Sequence, residues 1–96
     1  YEAGLFTAYA QMAKDAPDLV FHLGDYIYEY PEGKSPTLVR KHTGPKDGKI
    51  KTLTDYRERH AQYRSDPLLH GMHALCPWFV TWDDHEFDNN YANDIQ

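Results

Sequence analysis

Two apolar runs that end abruptly in carboxylates constrain this chain more than any other feature. One leads from Asp18 to Tyr28 and reads DLVFHLGDYIY, and the other leads from Trp78 to Glu86 and reads WFVTWDDHE. Short runs rich in aromatic and β-branched residues predict strands. If both strands lie parallel in one sheet, their acidic ends emerge at the same edge, where open α/β sheets bind ligands. The pattern therefore indicates a metal site.

The segments around these runs predict an α/β fold in the order helix, strand, long loop, two helices and strand. The expected elements are a helix over 4–15, a strand over 19–23, a loop over 30–51, helices over 54–64 and 67–74, and a strand over 78–82. Thr52 or Thr54 can cap the second helix, and Ser65 or Asp66 the third. A crossover that contains helices favours parallel pairing. The last strand carries apolar groups on both faces, as in a sheet buried on both sides.

Length and composition limit what the chain can be. With 96 residues it forms at most one small domain, and because it starts without methionine and stops in a polar run, we expect an internal piece. A single cysteine, Cys76, excludes an internal disulfide and is read as a small buried apolar residue. No segment has the profile of a signal peptide or the length of a membrane span. The net charge of −5 argues against nucleic-acid readout.

The charges are unevenly distributed along the chain. Residues 31–51 hold six Lys and Arg against two acids, whereas residues 83–96 hold five acids and neither Lys nor Arg. A solvated basic loop and an acidic tail would explain this pattern. The alternative is that the basic loop draws an anionic substrate toward the acidic edge.

Asp25 and Asp84 are the natural metal ligands, since each follows one of the two strands. Parallel neighbours lie ~4.8 Å apart, so these carboxylates can share ions spaced ~3.5 to 4 Å apart, as in two-metal hydrolases. Gly24 allows the sharp turn that frees Asp25. Tyr28 can reach the same place, where a ferric ion would capture its phenolate. His85 titrates near neutrality and could protonate a leaving oxygen.

Other candidates have competing structural explanations. A Gly-Asp pair after a strand is most often a simple turn, and only the joint occurrence of both motifs favours metal. Asn89 and Asn90 could orient substrate, although turn formation explains them equally well. His70 and His73 form an i, i+3 pair that could bind a metal, but we interpret them as surface or interface histidines. His22 is read as a satisfied core residue.

The motifs GDYIY at 24–28 and WDDHE at 82–86, with Tyr56-Arg57 and Asp66-Pro67-Leu68 between them, resemble the PhoD-type alkaline phosphatases of the calcineurin-like metallophosphatase superfamily. The resemblance covers essentially the whole chain. It implies a four-layer αββα sandwich, of which residues 1–96 would form part of the N-terminal half of the catalytic domain. The expected piece is a parallel βαβ core with a long loop after its first strand.

The resemblance also implies a function. This function is hydrolysis of phosphate monoesters and diesters by a metal-bound hydroxide, in an extracytoplasmic enzyme that uses Fe³⁺ and Ca²⁺. Asp25 would lie between the metals, Tyr28 on iron, Asp84 as a ligand or ligand orienter, and His85 near the phosphoryl group. The upstream and downstream motifs that complete the metal centre in this family are absent from these residues, so flanking parts of the same domain are expected partners.

Two alternatives remain open on sequence grounds. A purple-acid-phosphatase-like enzyme shares the Gly-Asp-x-x-Tyr motif, but Asp84 stands where that reading expects asparagine. The second alternative is an inactive, truncated metal-binding module that binds calcium at the acidic tail for a structural purpose. Turnover of a phosphate ester with and without chelator would separate these possibilities.

Overall fold

The computed structural model describes residues 4–31, 33, 40–45, 48–92 and 94. Within them the elements are α1 (Thr7–Asp15), β1 (Val20–His22), α2 (Leu53–Arg64), α3 (Pro67–Leu75), β2 (Trp78–Val80) and a 3₁₀ helix at Asp84–Glu86. This order confirms the predicted α/β arrangement. Both strands are shorter than the predicted runs, and α1 begins at Thr7 instead of Gly4. Part of the predicted loop, at 32, 34–39 and 46–47, lies outside the described residues.

The two strands pair in parallel, as the helical crossover predicts. The register pairs are Val20 with Trp78, Phe21 with Phe79, and His22 with Val80. Past the last pair, the N–H of Thr81 donates to the carbonyl oxygen of His22 at 3.0 Å. Both strands therefore end at the same edge of the sheet, where the two acidic motifs begin.

Only one face of this sheet is covered within the described residues. Val20 is buried, whereas the ring of Phe21 is 68% exposed and that of Phe79 is 61% exposed. These two rings stack on each other with their centroids 5.4 Å apart. α1 and α3 pack together on the side of Val20, and no described element covers the other side, so burial of the sheet on both faces stays a prediction.

The core lies between the helices and the buried side of the sheet. Two clusters compose it, one of Tyr26, Ile27, Tyr63 and Leu69 and the other of Val20, Met72 and Cys76. Trp78 packs against both clusters and so joins them. Each large apolar side chain buried in this way contributes ~1.5 to 3 kcal/mol. Cys76 is buried and free, as its sequence context predicts.

The helix starts follow local capping rules. Thr52 forms a capping box with Asp55, so Thr52 and not Thr54 caps α2. Asp66 accepts the N–H groups of the first turn of α3, and Pro67 occupies a first-turn position that needs no N–H. The structure thus decides both choices that the sequence leaves open.

Arg40 lies inside the fold and is not part of a basic surface. Its guanidinium lies 2.8 Å from Asp66 and 3.6 Å from the ring centroid of Phe6. Burial alone would raise the pKa of Asp66, but the hydrogen bonds from Arg40 and from the first turn of α3 outweigh it and lower that pKa. The hypothesis of a substrate-steering basic loop is therefore wrong for Arg40. Lys34 and Lys46 lie outside the described residues.

Arg59 fixes the segment that leaves β1. Its side chain is fully buried on α2 and donates hydrogen bonds to the carbonyl oxygens of Tyr28, Tyr30 and Thr43. The Tyr30 and Thr43 contacts measure 2.9 and 2.6 Å. One guanidinium thus satisfies carbonyl groups from two separate stretches of chain and holds both against α2.

Replacing Arg59 with Met should lower the free energy of unfolding by about 3 kcal/mol or more, since methionine fills the space but leaves these carbonyl oxygens without their donor. The control is Arg57→Met on the same helix, where the side chain is exposed. This control should change the value by less than about 0.5 kcal/mol. Urea denaturation of the protein at its full natural length measures both, and equal losses would contradict the role of Arg59.

Candidate metal centre

The turn after β1 lies directly against the turn after β2. Gly24 has φ +107°, and a Cβ atom there would lie 2.5 Å from Cβ and 2.6 Å from the backbone N of Asp83. Any side chain at this position would separate the two turns. Asp25 follows with φ +54°, which is a strained conformation for a residue other than glycine. Contact at Gly24 thus brings the two motifs together.

Glu86 binds the backbone of both turns. One oxygen, Oε2, accepts the N–H of Asp25 at 3.0 Å and that of Asp83 at 2.7 Å. The other, Oε1, accepts the N–H groups of Tyr26 and Ile27. Hydrogen bonds to a charged acceptor are the stronger kind, at ~1.5 to 3 kcal/mol each. Glu86 therefore stabilises the strained turn at Asp25 and fixes its position relative to Asp83.

This arrangement places the predicted site residues side by side. Asp25, Asp84 and His85 each offer one ligand atom, and these atoms all lie within 4.8 Å of one another. The hydroxyl of Tyr28 donates to Oδ2 of Asp25 at 3.3 Å, and its ring centroid lies 4.3 Å from that of His85. Four residues named from two distant motifs thus share one site at the edge of the sheet.

Asp25 also has a buried oxygen that fits a cation. Oδ1 is buried and accepts no hydrogen bond from any residue that the structure describes, while Oδ2 accepts from Tyr28. A buried carboxylate oxygen without a partner is costly, so such atoms mark positions where an ion or water belongs. With Asp84 and a phenol beside it, this oxygen suits a hard cation that prefers oxygen ligands.

The protonation states of Tyr28 and Asp84 follow from their surroundings. Burial, and then the charge of Asp25, raise the pKa of Tyr28, so its phenol is protonated and acts as a donor in the metal-free chain. The N–H of Asn90 donates to Oδ2 of Asp84 and lowers the pKa of that carboxyl group. Asp84 is therefore an anion at neutral pH.

His85 is held from behind by Glu29, a fully buried carboxylate. The ring Nδ1 lies 2.8 Å from Oε2 of Glu29, while Oε1 accepts the N–H of Asn89 at 3.0 Å and lies 3.1 Å from Nζ of Lys49. Burial alone would lower the pKa of His85, but the hydrogen bond and charge of Glu29 and the charges of Asp25 and Asp84 outweigh it and raise that pKa.

Asn89 and Asn90 contribute their backbone to this site. Their N–H groups bond Glu29 and Asp84, and Asn90 has φ +60°, a conformation that asparagine tolerates in turns. Both residues are exposed. The turn explanation of this pair is therefore sufficient for their observed contacts, and a role in substrate binding stays a prediction.

Several histidines differ from their sequence-based interpretation. His73 is partly buried, bonds the hydroxyl of Tyr26 at 2.8 Å and stacks on Trp78 at 3.9 Å. It is therefore not a surface histidine, and its interpretation as an interface histidine stays a prediction. His22 is half-buried, but its Nδ1 has no hydrogen-bond partner among the described residues, so it is not a satisfied core residue. His42, for which the sequence offers no signal, is buried and bonds Tyr30 and Tyr63.

Sequence analysis did not identify Glu29 or Glu86 as site residues. Glu29 stands alone in the aromatic run 26–30, and a single acid in such a run is a signal of a buried, paired carboxylate. Glu86 belongs to the recognised WDDHE motif. Its carboxylate accepts backbone N–H groups from residues 25–27, which are far away in the sequence, so no local sequence pattern indicates this role.

An open groove of about 1280 Å³ adjoins the site. Residues that follow His85 line one side and α2 lines the other, and the lining includes Lys49, Lys51, Arg57, Glu86 and Phe87. Lys51 and Arg57 are exposed, whereas Lys49 contacts Glu29 and Asp88. The groove thus combines apolar walls with cationic groups beside an acidic centre.

The sequence model of the PhoD-like phosphatases matches residues 1–96. The chain belongs to this family. It is 57% identical over 95 residues to alkaline phosphatase D of Bacillus subtilis (strain 168), and the match covers 99% of this chain and 16% of that protein. A solved structure of PhoD is 60% identical, with a TM-score of 0.86, and covers the whole chain. These matches confirm the resemblance that the two motifs carry.

This PhoD-like chain spans a small part of its relatives. It corresponds to 18% of the length of the solved PhoD chain. Among the described residues, no helix combines the length and the apolar character that crossing a bilayer requires.

Replacing Gly24 with Ala should lower the free energy of unfolding by about 2 to 5 kcal/mol. The added Cβ meets Asp83, which costs ~1 to 3 kcal/mol, and the positive φ adds ~1 to 2 kcal/mol. The matched control is Gly48→Ala, where φ is +91° but a Cβ meets no described atom within 4 Å, so only the second cost applies. Urea denaturation of the protein at its full natural length compares them, and similar losses would refute the close contact at Gly24.

Proposed function

We propose that the protein, at its full natural length, is a metal-dependent phosphoesterase that hydrolyses phosphate monoesters or diesters. The observation that carries this proposal is the cluster of Asp25, Asp84 and His85 within 4.8 Å, in which Asp25 keeps one buried oxygen free of described hydrogen-bond donors. Membership of the PhoD-like phosphatases supports the reaction class. Because the chain covers 16% of its curated relative, the activity belongs to a larger assembly of residues than these.

Asp25, Tyr28 and Asp84 are the residues that would hold the metal ions. Carboxylates suit Ca²⁺, and a phenolate suits Fe³⁺, so the donor set supports the pair of ions that the family resemblance implies. When bound, these ions supply Lewis-acid charge for the phosphoryl oxygens and activate water for attack on phosphorus. The remaining ligands would come from flanking parts of the same domain.

His85 would handle a proton at the leaving oxygen. Its Nδ1 faces Glu29, so Nε2 is the ring atom left for a hydrogen bond to substrate. The exposed cations Lys51 and Arg57 in the adjoining groove would attract the anionic ester, an effect that weakens as ionic strength rises. Asn89 and Asn90 stay candidates to orient the substrate.

The exposed side of the sheet supports a place for this chain within a larger fold. Stacked phenylalanine rings on that side would be covered if the chain forms part of one half of a four-layer αββα sandwich, as the family resemblance implies. We also propose an extracytoplasmic location on the same resemblance, which fractionation of cells would test.

The Asp25→Asn variant should lose both bound metal and turnover, because an amide cannot supply the negative charge or the second strong oxygen ligand that the buried site requires. Metal content by elemental analysis and hydrolysis of p-nitrophenyl phosphate, with and without chelator, measure the two effects. Asp18→Asn, at an exposed position outside the site, is the control and should retain both. A metal-free parent that hydrolyses the ester at full rate would overturn the proposal.

The unaltered protein should show a visible absorption band from the Tyr28 phenolate on iron, and Tyr28→Phe should abolish it. Tyr91→Phe removes the hydroxyl of an exposed tyrosine that is not among the cluster residues, and it should leave the band in place. Absorption spectra of the iron-loaded proteins measure the difference. A colourless, active parent would contradict the assignment of Tyr28 to iron.

A further inference from the structure

We propose that Glu29 is a positioning residue that fixes the imidazole of His85 in one tautomer, with its proton on Nδ1 and its Nε2 facing the acidic cluster. The kinetic part of this inference rests on the proposed phosphoesterase function, whereas the geometric part does not. Glu29 touches neither a candidate metal ligand oxygen nor a reacting atom in the described contacts, so it acts through His85.

The two oxygens of Glu29 have different partners. Oε2 lies 2.8 Å from Nδ1 of His85, whereas Oε1 accepts from the backbone of Asn89 at 3.0 Å and lies 3.1 Å from Nζ of Lys49. Lys49 and Asn89 thus occupy one oxygen, and the other is directed at the histidine. A carboxylate accepts hydrogen bonds and does not donate them, so His85 must supply the proton at Nδ1.

The position of Glu29 itself is fixed by surrounding structure. Its side chain is fully buried, its carbonyl oxygen accepts the N–H of Ile50 at 3.0 Å, and Lys49 joins it to Asp88. A buried carboxylate is costly unless its charge is compensated, and Lys49 provides that compensation. The acceptor for His85 is therefore anchored from two directions and does not depend on the histidine for its own placement.

Aromatic rings limit the remaining freedom of His85. The ring centroid of Tyr28 lies 4.3 Å from that of His85, and the centroid of Tyr30 lies 5.3 Å away with the rings steeply inclined. These contacts oppose rotation of the imidazole, while the carboxylate decides which nitrogen carries the proton. A histidine whose second nitrogen bonds a carboxylate has its tautomer and orientation set by that bond.

The decisive variant is Glu29→Gln in the protein at its full natural length. Its amide oxygen should turn to the two donors on the Oε1 side, so that the NH₂ group faces Nδ1 of His85. This exchange should move the imidazole proton from Nδ1 to Nε2. Glu58→Gln, on the exposed face of α2, is the matched control and should leave the tautomer unchanged.

Solid-state NMR of protein labelled with ¹³C,¹⁵N-histidine, after removal of metal by chelation, reads the tautomer directly. The His85 signals are assigned by their loss in His85→Gln. The unaltered protein and Glu58→Gln should show the proton on Nδ1. With spectra recorded above the pKa of His85, where the imidazole is neutral, a proton on Nε2 in the unaltered protein overturns the inference whether or not Glu29→Gln folds, and an unchanged tautomer in a folded Glu29→Gln protein overturns it as well.

The rate of hydrolysis of p-nitrophenyl phosphate provides the second measurement. Glu29→Gln should lower kcat about 10- to 100-fold, the usual range for a group that orients an active residue, with KM changed less than about twofold. A normal kcat in that variant would refute the positioning role. If the unaltered protein shows the expected tautomer but hydrolyses no phosphate ester, the phosphoesterase proposal fails and the inference on His85 geometry stands.

Discussion

The site depends first on the carboxylate of Glu86, because it accepts backbone N–H groups from the turns that end both strands. Asp25 and Asp83 each donate to the same oxygen, at 3.0 and 2.7 Å. The distance between the two acidic motifs is therefore set by hydrogen bonds from backbone N–H groups of both turns to one carboxylate oxygen. Gly24 permits this arrangement, since it alone leaves room for the two turns to touch. A strained φ at Asp25 is the cost of aiming its carboxylate at Asp84.

The same geometry concentrates negative charge. Asp25 and Asp84 lie side by side, with Glu29 behind His85. Like charges this close repel one another strongly when water is excluded. Lys49 compensates the charge of Glu29, which lies behind His85. The phenol of Tyr28 adds a donor but no positive charge. A cation at the front would relieve both this repulsion and the unmet hydrogen-bonding capacity of Asp25, which supports the proposed metal site.

The amino-acid sequence predicts those features of the fold that depend on local patterns. The strand ends that carry Asp25 and Asp84 and the parallel pairing follow from periodicity and crossover length, and capping rules reduce each of the two helix starts to two candidate residues. The buried partners Glu29 and Arg59 could not be found in this way, since their contacts join stretches far apart in the chain and leave no repeating pattern. The apolar strand also predicts burial on both faces without showing which neighbour covers the face that is exposed among the described residues.

Arg59 has a consequence for how this family can vary. Its guanidinium donates to the carbonyl oxygens of Tyr28 and Tyr30 and to that of Thr43. The two ends of the segment between Tyr30 and Thr43 are therefore held by the same side chain. Lengthening a loop whose ends are already joined costs only ~0.6 kcal/mol for each doubling of its length. Insertions between residues 31 and 39 would therefore cost little free energy and leave the turn at Asp25 undisturbed, whereas the segment from Arg40 to Thr43 is held in the fold by the buried side chains of Arg40 and His42.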